Sequence, residues 1–133
     1  MTVSSETLSA FLPLLENVSG QFELMPEEAP PSASAWIKGA LRTYLGTLKV
    51  IQAALEQREP KAGDQKDIEW IAVCLGAILQ EKWVQDQMKG TPMTPPDAKL
   101  LEKLDLTPPA DPVTYDKIID LLVAGLRTVL AAA

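Results

Sequence analysis

Histidine is missing altogether from this sequence of 133 residues, and no other absence excludes as much chemistry. Histidine is the usual general base near neutral pH and the commonest protein metal ligand, so histidine triads, Cys-His dyads and His-containing zinc or iron sites have no means of forming. A single cysteine, Cys74, rules out an internal disulfide and any thiolate cluster. It lies inside an apolar run, as a buried, inert thiol does. Aromatic residues make up only 5% of the chain, too few to interleave with basic side chains as a nucleic-acid platform requires.

Positive charge is scarce where the chain begins. Nothing basic precedes Lys38, while Glu6, Glu16, Glu23, Glu27 and Glu28 carry most of a formal net charge of −6. Binding to phosphate backbones or anionic lipid depends on Lys and Arg, so neither nucleic acid nor membrane is expected as a partner. Long hydrophobic runs are lacking too. The longest, Trp70 to Leu79, has ten residues, against the roughly 18 or more needed to cross a bilayer. With no basic-then-apolar leader, the expectation is a soluble, cytoplasmic protein. Neither a G-x-G-x-x-G run nor a Walker-type phosphate loop occurs, so no cofactor is expected.

What is present is ordinary globular composition, 47% apolar and 23% charged, in a length that suits one hydrophobic core. The expectation is a single helical domain over residues 1–133. Its apolar positions recur with helical rather than alternating period, punctuated by proline and glycine. A first helix is expected from Ser5 to Val18, burying Leu8, Phe11, Leu12, Leu15 and Val18, with Pro13 kinking it or delaying its start. A surface connector from Gly20 to Ser34 contains Pro26, Pro30 and Pro31. The second helix is expected from a cap at Ser32 or Ser34 to Glu59, stopped by Pro60 and Gly63. A row of small residues on it, Gly39, Gly46 and Ala53, suggests close approach by another helix.

The third helix is expected from Asp64 to Gly90, antiparallel to the second. A short helix follows, capped by Thr94 with Pro95 leading and carrying Leu100, Leu101 and Leu104. The last begins at Asp111 and Pro112 and buries Tyr115, Ile118, Ile119, Leu122, Leu126 and Val129. The predicted fold is therefore an all-α helical bundle of four main helices plus one short helix, centred on a long antiparallel αα-hairpin.

Carboxylates are the only remaining candidates for catalysis or metal binding. Glu56, Glu59, Asp64 and Asp67 form an E-x-x-E then D-x-x-D pattern that is similar to the acidic magnesium sites of all-α nucleotide pyrophosphatases. Pro60 and Gly63 put all four at helix ends and a turn, where acids cap and solubilise, and that is the reading carried forward. No catalytic and no metal-binding residue is assigned. Lys38, Arg42 and Lys49 share a stripe of helix two with Gln52 and Glu56, read as a mixed solvent face.

The distinctive feature is an apolar surplus on helix three. A wheel at 100° per residue gives a core face of Ile68, Ile71, Ala72, Leu75, Ile78 and Leu79, and places Trp70, Val73, Ala77, Val84 and Met88 on the opposite side. Either helices one and five cover that second face, or a partner does. Helix one, short and broken by proline, has limited reach, and tryptophan is enriched in interface anchors. The expected interface is Trp70, Val73, Ala77, Val84 and Met88 with Trp36, and the expected function is a non-enzymatic interaction or scaffolding module, a homodimer or bound to another protein. The alternative is a subunit binding an apolar small molecule between helices.

Overall fold

A computed structural model describes residues 5–27 and 32–131. Glu28, Pro30 and Pro31 lie outside the described residues. Among those described, the helices are α1 (Ser5–Glu23), α2 (Ala33–Leu55), α3 (Ala62–Leu79), α4 (Lys82–Met88), α5 (Ala98–Lys103) and α6 (Tyr115–Ala131). The all-α bundle is as expected. α1 packs on α2, α2 on α3, α3 on α6 and α6 back on α1, closing a four-helix ring, with α5 against α1 and α4 against α2. No helix of the described residues is long and apolar enough to cross a membrane.

α1 corrects the expectation of a short, broken helix. It runs unbroken through Pro13, which is exposed, as is Ser9, the residue whose carbonyl a proline at position 13 has no N–H to partner. It also extends past Val18. Phe22 is fully buried there, and Gln21 exchanges hydrogen bonds with the backbone of Thr94, accepting from its N–H at 2.7 Å. Leu8, Phe11, Leu14, Leu15, Val18 and Phe22 are all sealed, so α1 is a central element of the core.

α1 and α2 lie antiparallel, stitched by charge. Glu16 pairs with Lys49 at 2.8 Å, Glu23 takes both arms of Arg42, and Lys38 donates its Nζ to the Met25 carbonyl. The stripe Lys38, Arg42 and Lys49 is therefore a seam rather than a mixed solvent face; Lys38 is buried. Gln52, on the same seam, donates to Ser9 Oγ at 2.8 Å. The Ser32 hydroxyl caps α2 by accepting from the Ala35 N–H, as the sequence indicates.

The expected third helix divides in two. Gln80 and Glu81 leave helical geometry, Glu81 at φ −59° and ψ 136°, with neither proline nor glycine to mark the break. Packing supplies the reason. A continuous helix would carry Val84 to the same side as Lys66, whereas the broken chain seals Val84 fully and Met88 almost so. Each such burial stabilises by about 1.5–3 kcal/mol. α4 also sets Trp83 edge-on to Trp36 at 5.8 Å and turns the Gln87 amide oxygen to accept from the Ala33 N–H at 3.0 Å.

The later boundaries shift for similar reasons. Asp97, not Thr94, caps α5, accepting from the Lys99 N–H at 2.9 Å. Residues 91–93 and 113–115 pair as extended chain, Met93 N–H to Val113 O and Tyr115 N–H to Thr91 O, both at 3.0 Å. That pairing delays α6 to Tyr115, whose buried hydroxyl donates to the Leu79 carbonyl. Burial and the nearby Asp116 push this phenol well above its ordinary pKa, so it stays a neutral donor.

Candidate interaction surface

The outer side of the bundle is unequal. α1 shows Glu6, Glu16, Asn17 and Glu23 to solvent, and α6 shows Asp116, Asp120 and Arg127. α3 shows its exposed charges, Lys66, Asp67 and Glu69, before Trp70 and none from Trp70 to Leu79, and the neighbouring α2 shows only Arg42 and Lys49.

On α3 the exposed residues include Trp70 at 68%, Val73 at 65% and Ala77. On α2 they are Trp36, Gly39, Thr43, Gly46, Thr47, Val50 and Ala53 beside Arg42 and Lys49, and those two cations are turned to glutamates of α1. The threonines behave as apolar residues: Thr43 donates its hydroxyl to Gly39 O at 2.9 Å and Thr47 to Thr43 O at 3.0 Å. With each hydroxyl satisfied inside the helix, little polar demand faces outward. At the α2–α3 seam Tyr44 meets Cys74; burial first, then the thiol, raises the phenol pKa.

Of the expected interface residues, Trp70, Val73 and Ala77 share one exposed face of α3, and Trp36 is half-exposed on α2 against Trp83. Val84 and Met88 are corrected: they belong to the core of the chain, because the break at Gln80–Glu81 turns α4 inward. Gly39, Gly46 and Ala53 are also corrected. They are exposed, and a β-carbon built on either glycine meets nothing within 4 Å, so no described helix of this chain approaches them. The close approach is elsewhere, at Gly125 on α6, where a β-carbon would lie 2.9 Å from Phe11 Cδ1. Val50, 71% exposed, joins the surface unforeseen; its position on the same wheel sector as Gly39 and Thr43 is the signal that would have found it.

The carboxylates of the α2–α3 turn do not converge. Asp64 is occupied by both guanidinium nitrogens of Arg58 at 2.8 Å and by the Lys61 N–H at 2.8 Å. Arg58 above all holds its pKa down to about 2. Among the described residues no three carboxylate or thiol groups come together as a metal would need.

Two surface grooves flank α6. One of about 470 Å³ lies between Leu106, Pro109, Ala110, Leu121 and Ala124. The other, about 280 Å³, lies between α3 and α6 beside the exposed face and is lined by Val73, Gly76, Ala77, Gln80, Val123 and Arg127. Comparison with known proteins finds no matching family model, no similar curated protein and no similar solved structure.

Proposed function

We propose that this chain is a non-enzymatic interaction module that works through the outer face of α2 and α3. The observation that carries the reading is the coexistence, on adjacent helices, of exposed Trp70 and Val73 with a stretch of α2 whose exposed cations are diverted to α1 and whose threonine hydroxyls are bonded inward. Large exposed apolar patches mark interaction sites, and tryptophan supplies much of the energy when such a patch is covered. Leaving it wet forgoes several kcal/mol at about 25 cal/mol per Å².

The ionisable groups fit that role. The strongly shifted carboxylate, Asp64, is spent on clamping a turn, and the buried cation Lys38 is spent on the Met25 carbonyl. A photo-reactive amino acid placed in turn at positions 50, 73 and 120 tests the proposal in cells that make the protein. Adducts are expected from 50 and 73 and not from 120 on charged α6. Equal labelling from all three, or none from 73, would refute it.

A further inference from the structure

We infer that the surface covering this face is a second copy of the same chain, its α3 antiparallel to the first α3 about a twofold axis at Val73. The inference rests on the interaction reading above and names its partner. Three observations carry it: the shape of α3 on either side of Val73, the charges flanking the face, and its size.

Antiparallel pairing about Val73 sets Trp70 of one copy against Gly76 and Ala77 of the other. Both are small, and a β-carbon built on Gly76 would meet only Gln80 Oε1, at 3.9 Å, so little of this chain stands over the glycine that an approaching indole would meet. The arrangement is reciprocal, as a twofold interface requires.

The flanking charges match in the same register. Lys66, one side of Val73, comes level with Gln80 and Glu81 of the second copy on the other side. Glu69 comes level with Ala77 of the second copy, over the groove that Arg127 lines together with Ala77 and Gln80. Lys66, Glu69, Glu81 and Arg127 have no ion-pair partner among the described residues, and Lys66, Glu69, Glu81 and Arg127 are all exposed. Self-pairing thus sets positive against negative at four places, with the helix dipoles opposed. An unrelated partner would have to reproduce this alternation; a second copy contains it.

The size is also suitable. α3 has 18 residues, about 27 Å at 1.5 Å per residue, and α2 lies beside it about 8–10 Å away. The two together offer a strip about 20 Å wide. Its projected area of about 540 Å², before side-chain relief is added, compares with the roughly 800 Å² of accessible surface that each partner contributes to a standard stable interface.

Cross-linking tests the arrangement directly. In a Cys74→Ala background, which removes the native thiol, Val73→Cys lies on the axis and is expected to form a disulfide with itself under mild oxidation, far faster than Asp120→Cys on α6. Both positions are exposed, so folding is not at issue. Light scattering on the unmodified chain at tens of micromolar should give twice its 14.4 kDa mass. Lys66→Glu should weaken the dimer about three- to tenfold, since the pair occurs twice, and Lys66→Glu with Glu81→Lys should recover to within about twofold. A monomer at that concentration overturns the second copy as partner, leaving the photo-adducts at 50 and 73 to judge the interaction reading separately. A dimer in which position 73 cross-links no faster than position 120 overturns the antiparallel arrangement.

Discussion

Replacing Gly125 by alanine tests whether α1 and α6 meet as closely as described. The new β-carbon would lie 2.9 Å from Phe11 Cδ1 and 3.0 Å from Phe11 Cε1, short of the 3.5–4.0 Å carbon–carbon optimum by about 0.5–1 Å. The ring cannot swing aside, because Phe11 is fully buried, so the helices must part or the ring must leave its rotamer. Overpacking of this kind costs about 1–3 kcal/mol. Against it stands the gain from removing a mid-helix glycine, about 1 kcal/mol. Gly20 on α1 measures that gain alone, since its added β-carbon meets nothing within 4 Å. Urea unfolding followed by circular dichroism should therefore show Gly20→Ala stabilised by about 0.5–1 kcal/mol and Gly125→Ala neutral to about 2 kcal/mol less stable. The difference between the two, about 1–3 kcal/mol, is the clash itself. Adding Phe11→Leu to Gly125→Ala should cost less than the two separate losses predict. If both alanines stabilise equally, α6 does not rest on Phe11 and the core described for α1 is wrong.

Two further substitutions probe the break in the third helix and the turn before it. At a dilution where the chain is monomeric, Val84→Asp, which buries a charge, should cost about 3–5 kcal/mol, whereas Val73→Asp, on the outer face, should change stability by no more than about 0.5 kcal/mol; equal losses in such thermal melts would restore the continuous helix. Asp64, held near a pKa of about 2 chiefly by Arg58, contributes stability that is complete above the ordinary aspartate pKa near 3.9 and lost as pH falls towards 2. Because Arg58 is partly exposed, about 1 kcal/mol is expected. Asp64→Asn should flatten that limb of the pH–stability profile, and an unchanged acid limb would disprove the clamp.

The ease of reading each element tracks where its determinants sit. Ser32 and the apolar face from Ile37 to Leu55 lie within α2 itself, so its start and buried side follow from spacing alone. The same holds for Tyr115, Ile118, Ile119, Leu122, Leu126 and Val129 on α6. The break after Leu79 has no local mark. It follows from what α4 gains against α2, the Trp36–Trp83 contact and the Gln87 bond to Ala33, and no window of sequence contains both sides of those contacts. Pro13 misleads in the opposite direction. A proline is costly inside a helix mainly through the backbone bond it removes, and the exposed positions of Pro13 and Ser9 lower that cost.

The same distinction explains why half of the candidate surface was legible. Trp70, Val73 and Ala77 stand on one turn-to-turn stripe of a single helix, and a wheel finds them. The α2 side needs tertiary knowledge, because Arg42 and Lys49 count as solvent charges until Glu23 and Glu16 of α1 are seen to claim them. Once those cations belong to the α1 seam, the rest of the exposed α2 residues carry no charge between Gly39 and Ala53. A surface is made apolar as much by where its neighbouring charges are drawn as by its own side chains. Here three ties to α1 or the segment after it, at Lys49, Arg42 and Lys38, draw them to one side of α2 and leave the other free. Exchanging Glu16 and Glu23 for glutamine would therefore release two cations toward that face, and the association should weaken although neither glutamate lies on it.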